Sequence, residues 1–137
     1  MYDLTRIETI ISDIIMYLKK LESFKIKSEK DLEDDKNFYS SSMIIFNSIN
    51  RAMDLAEQII RDNAFGTTVE YKELFKLLEL KKIISPSLSE SLQKLVIVRN
   101  KISHRYGKIT KKDVLNAIRD LSSLNGFIKE IEKEVKK

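Results

Sequence analysis

An arginine, an asparagine, a histidine and a tyrosine lie close together in residues 98–109, VRNKISHRYGKI. His104 is the only histidine in the chain, and an imidazole, with an ordinary pKa of about 6.5, both accepts and donates protons near neutral pH. The guanidinium of Arg99 can hold a phosphate by two hydrogen bonds and stabilise the charge that develops on it. A group that transfers protons and a group that binds phosphate are what metal-independent RNA cleavage requires. Asn100 could orient the imidazole or bind a phosphate oxygen, and Tyr106 offers a ring for stacking on a base and a hydroxyl that can be modified.

One straight helix does not bring Arg99 and His104 together. Residues five apart on an ideal helix project about 140° apart, whereas Asn100 and His104, four apart, share a face. Either the helix unwinds near Ser103, with Gly107 at its exit, or the two side chains meet those of a second subunit across a twofold axis. The second arrangement also supplies two histidines to one site, which a single chain cannot do.

Positive charge is concentrated in the second half of the chain. Residues 1–65 carry 9 Lys and Arg against 12 Asp and Glu, and residues 66–137 carry 16 against 9, so the halves have net charges of −3 and +7. The segment 91–112 contains seven Lys and Arg and no acid, which suits partners that carry phosphate. Within it we expect Lys101, Arg105 and Lys108 to bind RNA phosphates. The alternative is an ordinary solvated, lysine-rich surface.

The composition excludes several kinds of site. With no cysteine and one histidine, the chain has no disulfide, no thiolate zinc site and no His-rich metal site of its own. The acidic run 31–35 lacks the alternating ligands and turn glycine of a calcium loop. We therefore expect no metal and no cofactor. There is no signal-peptide pattern and no apolar run approaches about 18 residues, so we expect a soluble cytoplasmic protein without a membrane segment.

Apolar residues that recur every three or four positions predict an all-α protein. Three glycines and one proline leave few turns for a sheet. We expect one domain over residues 1–137, an antiparallel bundle of four main helices and one short helix. The first helix covers residues 3–26. Residues typical of helix starts and stops mark the other helices. The second ends near Gly66, and the short third is capped by Thr67 with Glu70 and runs to about Leu80. The fourth begins at Ser85 and Pro86, and the last begins at Thr110 with Asp113 and continues to Val135.

Two of these apolar stripes bear on the site. The stripe of the second helix includes Tyr39, Met43 and Phe46, and we expect its Met and Phe residues to belong to the core. The stripe of the fourth helix runs from Leu88 to residue 106, and Arg99 occupies one of its core-facing positions. Burying a guanidinium without a partner costs several kcal/mol. We therefore expect Arg99 to border either an acidic partner or a cleft that accepts an anion.

The octet R-N-x-x-x-H-x-Y at residues 99–106 resembles the signature of HEPN-domain proteins, specifically the HepT-like toxins of prokaryotic HEPN/MNT modules. The similarity extends over about residues 43–131 through AMDLAEQIIRDNAFG and YKELFKLLELKKIISPSLSESLQKLVIVRNKISHRYGKI. It implies a homodimeric helical bundle in which Arg99 and His104 of both subunits are catalytic, with Asn100 beside them, and cut RNA without metal. It also implies that a minimal nucleotidyltransferase, the MNT antitoxin, adenylylates Tyr106 and silences the RNase. AMP on Tyr106 puts a phosphate and a bulky base where RNA must enter.

Two functions fit these observations. The first is a toxin-type endoribonuclease whose site is formed at a dimer interface. The second is a non-catalytic HEPN subunit of a nucleotidyltransferase complex, in which the same residues bind a nucleotide or the partner. Cleavage that is lost in His104→Ala and Arg99→Ala favours the first function. Binding without new 5′-hydroxyl or cyclic-phosphate ends on RNA favours the second.

Overall fold

The computed structural model describes residues 1–66, 70–104 and 109–137, without the side chains of Lys72 and His104. These residues form helices and no strand, which confirms the all-α prediction. The α-helices are α1 (Leu4–Ser23), α2 (Asp35–Asp62), α3 (Tyr71–Leu80), α4 (Pro86–His104), α5 (Lys111–Asp120) and α6 (Ser123–Val135), and a 3-10 helix covers Glu29–Leu32. No helix in the described ranges is long and apolar enough to cross a membrane.

Side-chain caps fix several of the helix starts. The hydroxyl of Ser85 accepts from the backbone N–H of Leu88, and Thr110 and Asp113 form the expected reciprocal box at the start of α5. In the acidic run, Asp31 accepts from two backbone N–H groups before the 3-10 helix, and Asp34 caps α2. These hydrogen bonds lower the pKa of Asp31. Two of the four carboxylates of this run, Asp31 and Asp34, therefore serve helix capping.

The start of α3 differs from the sequence prediction. The helix begins at Tyr71, and Glu70 is the residue that precedes it in extended conformation. Glu70 is therefore the N-cap and not the third helical residue, so the box with Thr67 was wrong. Thr67 itself lies outside the described residues.

The first two long helices end earlier than their apolar patterns suggest because the backbone turns left-handed. Lys25 after α1, Ala64 after α2 and Lys82 after α3 have φ values of 54°, 54° and 61°. At Ala64 and the next residue, Phe65, backbone N–H groups return to the carbonyls of Arg61 and Ile60, which is the Schellman arrangement of a helix C-terminus. α2 thus stops before Gly66 is reached.

The last predicted helix is interrupted at Leu121 and Ser122. Both residues keep right-handed helical dihedrals, but the N–H of Leu124 bonds to the carbonyl of Leu121, three residues back. The hydroxyl of Ser122 donates to the carbonyl of Arg119 and competes with the backbone ladder. The result is a break in the α-helical hydrogen-bond pattern between α5 and α6.

α2 is the central element, because it packs against α1, α3, α4 and α5. The core between them is apolar and includes the edge-to-face pair Phe75 and Phe127, with ring centroids 5.5 Å apart. One end of the α2 stripe lies outside this core. Met43 and Tyr39 are 42% and 56% exposed, so the expectation that Met43 is a core residue was wrong. Phe46, one turn further along, is partly buried. The stripe leaves the core next to Arg99.

Candidate active site

Arg99 lies on α4 at a position that faces α2, as its register predicted, and it is partly buried. Its Nε–H donates to Oδ1 of Asn50 on α2 at 2.8 Å, and its Nη1 donates to Oδ1 of Asn100 on α4 at 3.1 Å. Among the described residues no carboxylate forms an ion pair with it. The expected acidic partner is therefore replaced by two neutral amide oxygens.

Two aromatic rings complete the surroundings of Arg99. Its guanidinium carbon lies 5.1 Å from the ring centre of Phe46 on α2 and 5.2 Å from that of Tyr71 on α3. Both distances are within the range of about 6 Å over which the negative face of a ring attracts a cation. Three helices thus meet at one guanidinium.

Sequence reasoning missed three of these neighbours. Phe46 was assigned to the core, and Asn50 and Tyr71 were not singled out. The apolar stripe of α2 passes from Phe46 through Ile49 to Met53 without a gap, so it gives no signal for Asn50. Arg99, in contrast, interrupts the apolar stripe of α4 and signals that a polar partner or an anion lies opposite.

Arg51, the residue after Asn50, shows what a structural arginine looks like in the same molecule. Its guanidinium pairs with Asp13 of α1 at 2.8 Å and with Asp54 of α2 at 2.9 Å. Burial lowers the pKa of Arg51, but hydrogen bonds to Asp54 and Asp13 outweigh it, so the pKa is raised. Two carboxylates compensate the positive charge of Arg51, whereas no carboxylate among the described residues compensates that of Arg99.

The segment 91–112 contains no acid, but carboxylates from outside it lie close to two of its lysines in the folded chain. Lys101 lies 3.7 Å from Asp113, and Lys94 lies 3.7 Å from Glu90. The backbone N–H of Thr110 lowers the pKa of Asp113 most strongly, and Lys101 lowers it further. Both pairs are largely exposed and contribute little to stability. Lys101, one of the predicted phosphate contacts, therefore shares its charge with a carboxylate of α5.

The remaining predicted site residues are described only in part. The backbone of α4 is helical through His104, so the helix does not unwind at Ser103. Positions 99 and 104 are therefore about 140° apart around one helix axis. The side chain of His104, and all of Arg105, Tyr106 and Lys108, lie outside the described residues. Within those residues, no group of three or more His, Asp or Glu side chains is arranged to hold a metal ion.

Two comparisons with known sequences give related matches. A family model described as Ribonuclease HepT-like matches residues 14–131. A candidate RNase of Archaeoglobus fulgidus is 30% identical over 125 residues, which make up 88% of this chain and 94% of that protein.

Several solved structures have the same fold. A toxin–antitoxin complex with AMP-PNP aligns with a TM-score of 0.88 at 22% identity, over 94% of this chain and 98% of that one. The tri-AMPylated HEPN toxin of Shewanella oneidensis in complex with MNT antitoxin aligns with a TM-score of 0.87 at 23% identity, over 97% and 99% of the two chains. YutE, a cytosolic Bacillus subtilis protein of unknown function, aligns with a TM-score of 0.84 at 18% identity, over 99% and 94%.

The sequence match and the structural likeness agree with each other. The family model covers most of the helical bundle, including α4 with Arg99 and Asn100, and the described residues have the fold of HEPN toxins. The chain therefore belongs to the HepT-like ribonuclease family.

Proposed function

We propose that this protein is a metal-independent endoribonuclease and the toxin of a HEPN/MNT toxin–antitoxin pair. The observation that carries the proposal is Arg99, a partly buried cation that faces the bundle and is held by neutral groups, with no carboxylate partner among the described residues. Retaining such a charge is costly unless an anion is bound. A phosphate of RNA is the anion that the family membership indicates.

Each motif residue has a distinct role in the proposed reaction. Arg99 binds the scissile phosphate and stabilises its added charge. His104 accepts the proton of the 2′-hydroxyl or donates one to the leaving 5′-oxygen, so that cleavage leaves a cyclic phosphate and a 5′-hydroxyl. Asn100, whose Oδ1 accepts from Arg99, is the polar companion beside them. Lys101, Arg105 and Lys108 bind neighbouring phosphates.

The site is completed by a second copy of the chain. Because α4 is helical through His104, Arg99 and His104 of one chain lie on different faces of the helix. A twofold axis near the end of α4 brings the arginine of one subunit towards the histidine of the other and provides two histidines. The exposed apolar residues Tyr39 and Met43, which continue the α2 stripe past Arg99, are available to such an interface.

Regulation follows from the tyrosine of the motif. The partner is an MNT-type nucleotidyltransferase, which transfers AMP from ATP to the hydroxyl of Tyr106 and releases pyrophosphate. The added phosphate and base occupy the RNA entry and silence the enzyme. One relative of the same fold was solved as a tri-AMPylated toxin with its MNT antitoxin, which supports this assignment.

The experiment compares RNA cleavage in EDTA by the wild-type protein, Arg99→Ala and His104→Ala. Lys94→Ala is the matched control, because Lys94 belongs to the same acid-free segment but is an exposed partner of Glu90. We expect both motif variants to lose cleavage while they remain folded dimers by circular dichroism and light scattering, and the control to cut at the wild-type rate.

Two outcomes contradict the proposal. Wild-type rates in both motif variants would exclude the assigned roles. RNA binding by the wild-type protein without any new 5′-hydroxyl or cyclic-phosphate ends would identify a binding subunit instead. Incubation with the nucleotidyltransferase and ATP, followed by mass measurement, tests the modification, and we expect Tyr106→Phe to gain no AMP.

A further inference from the structure

We propose that Asn50 is a positioning residue that orients Arg99, and that Phe46 and Tyr71 hold the guanidinium beside it. The inference rests on the proposed role of Arg99 in binding phosphate. None of the three residues belongs to the R-N-x-x-x-H-x-Y octet, and they come from two other helices, α2 and α3. Together with Asn100 they form what we call the Arg99 cradle: Phe46, Asn50, Tyr71 and Asn100.

The hydrogen bond from Arg99 to Asn50 fixes the direction of the guanidinium. It joins Nε to Oδ1 at 2.8 Å and spans 49 residues of sequence, so it ties α4 to α2. Together with the bond from Nη1 to Asn100, it holds the guanidinium at two of its three nitrogens. Asn50 is partly buried on a helix, which limits its own freedom.

The cradle leaves donors available for an anion. A guanidinium has five N–H groups. Asn50 accepts from the one on Nε, and Asn100 accepts from one on Nη1. Within the described residues the other three, which include both on Nη2, have no acceptor. The remaining N–H groups on Nη1 and Nη2 are the donors that this guanidinium can offer to a phosphate.

The groups of the cradle attract the Arg99 guanidinium but carry no negative charge that would compensate it. An amide oxygen and an aromatic ring face both attract a cation without carrying a formal charge. Next to Asn50 along α2, Arg51 is instead held by Asp13 and Asp54, and its charge is compensated. Asparagine and aspartate have nearly the same shape, so Asn50→Asp gives Arg99 an acceptor at the same place together with a compensating charge. This substitution separates orientation from charge.

The test measures cleavage, RNA affinity and the state of Arg99 separately. Steady-state cleavage is compared for the wild-type protein, Asn50→Ala, Asn50→Asp and Asn63→Ala. Asn63 is the matched control, because it is a partly buried asparagine whose side chain bonds to Tyr2 and to the carbonyl of Ile59. We expect kcat/KM to fall by about 10- to 100-fold in Asn50→Ala, mainly through kcat, since misplacing a binding group by about 1 Å has effects of this size. The control keeps the wild-type value.

RNA affinity is measured by titration with single-stranded RNA at several salt concentrations in the His104→Ala background, which prevents cleavage. We expect Asn50→Asp to weaken binding and to reduce the slope of log affinity against log salt by about 0.7 per site, as loss of one phosphate contact does. An asparagine with a merely structural role tolerates this exchange without a change in slope.

Arginine Nε–H signals in 15N NMR report the positioning directly and need no activity. The Arg99 signal is identified by its absence in Arg99→Lys. We expect it to shift and to exchange faster with water in Asn50→Ala, and to be unchanged in Asn63→Ala. Tyr71→Leu removes the ring that lies beside the guanidinium and should cleave more slowly than the wild-type protein.

These measurements separate the inference from the proposed function. If the wild-type protein cuts RNA and Asn50→Ala cuts it equally fast with an unchanged Arg99 signal, the positioning role is wrong and the proposed function stands. If the wild-type protein cuts no RNA, the proposed function is wrong. The NMR signal and the salt dependence of binding then still decide whether Asn50 orients Arg99 towards an anion.

Discussion

Replacing Arg51 and Arg99 separately by methionine tests whether the positive charge of Arg99 serves function or stability. Methionine has a similar length and no charge, so Arg51→Met and Arg99→Met both preserve the apolar stem. The two sites differ in what surrounds the charge. Arg51 has two carboxylates, and Arg99 has two amide oxygens and two aromatic rings.

Arg51→Met removes two ion pairs, at 2.8 and 2.9 Å, from a side chain that is 19% exposed. Asp13 and Asp54 are 37% and 45% exposed and can be rehydrated when the partner is lost. Exposed pairs contribute about 0.2–1 kcal/mol each, and these two lie at the upper end because the arginine is mostly buried. We expect the free energy of unfolding to fall by about 1–2 kcal/mol.

Arg99→Met loses two hydrogen bonds but leaves no charge behind. Asn50 and Asn100 are partly buried, so water can replace the lost donors, and the sulfur packs on Phe46. Replacing a desolvated charge by an apolar side chain is often neutral or stabilising. We expect the free energy of unfolding to stay within about 1 kcal/mol of the wild-type value, while RNA cleavage is lost.

Urea unfolding followed by circular dichroism, at one protein concentration for all variants, measures both values. In thermal unfolding each kcal/mol corresponds to a shift of about 3–5 °C for a chain of this size. A loss of more than about 2 kcal/mol in Arg99→Met would contradict this prediction, because the guanidinium would then be a structural group.

Three further predictions follow from the helix ends and the core. Ala64→Gly should raise the free energy of unfolding by about 0.5–1 kcal/mol, since φ is 54° there and glycine adopts that conformation without strain; an unchanged or lower urea midpoint contradicts this. The pKa of Asp113 is lowered, first by the hydrogen bond from the backbone N–H of Thr110. Its contribution to the free energy of unfolding is therefore present above about pH 3.9 and is lost as the pH falls through the lower folded-state pKa. Asp113→Asn should therefore flatten the loss of stability in acid, and parallel curves for the two proteins speak against it. Phe75→Ala should cost about 3–5 kcal/mol, because the ring is 1% exposed and packs edge-to-face on Phe127; a loss below about 1 kcal/mol in urea unfolding shows that the core refills the space.

Much of the fold was predictable because it depends on local patterns. The apolar periodicity of α1, α2 and α4 and the caps at Ser85 and Thr110 specify helices and their starts within a few residues. Helix ends were less predictable. Ala64 in a left-handed conformation has no sequence signal, since glycine is the usual residue there. The interruption of the helix at Ser122 was also missed, because a serine disturbs the backbone hydrogen bonds only when its hydroxyl bonds to a carbonyl.

The R-N-x-x-x-H-x-Y motif could be recognised in the sequence alone, because Arg99, Asn100 and His104 are close along the chain and resemble a family signature. The register also determined that Arg99 faces the bundle. Only the tertiary structure decided what meets it there. Asn50 and Phe46 come from a helix about 50 residues earlier, and the choice between a carboxylate and an amide as partner depends on how α2 and α4 are aligned. Likewise, only folding brings Asp113 to Lys101, because an acid-free segment of sequence does not determine which charges surround it in space.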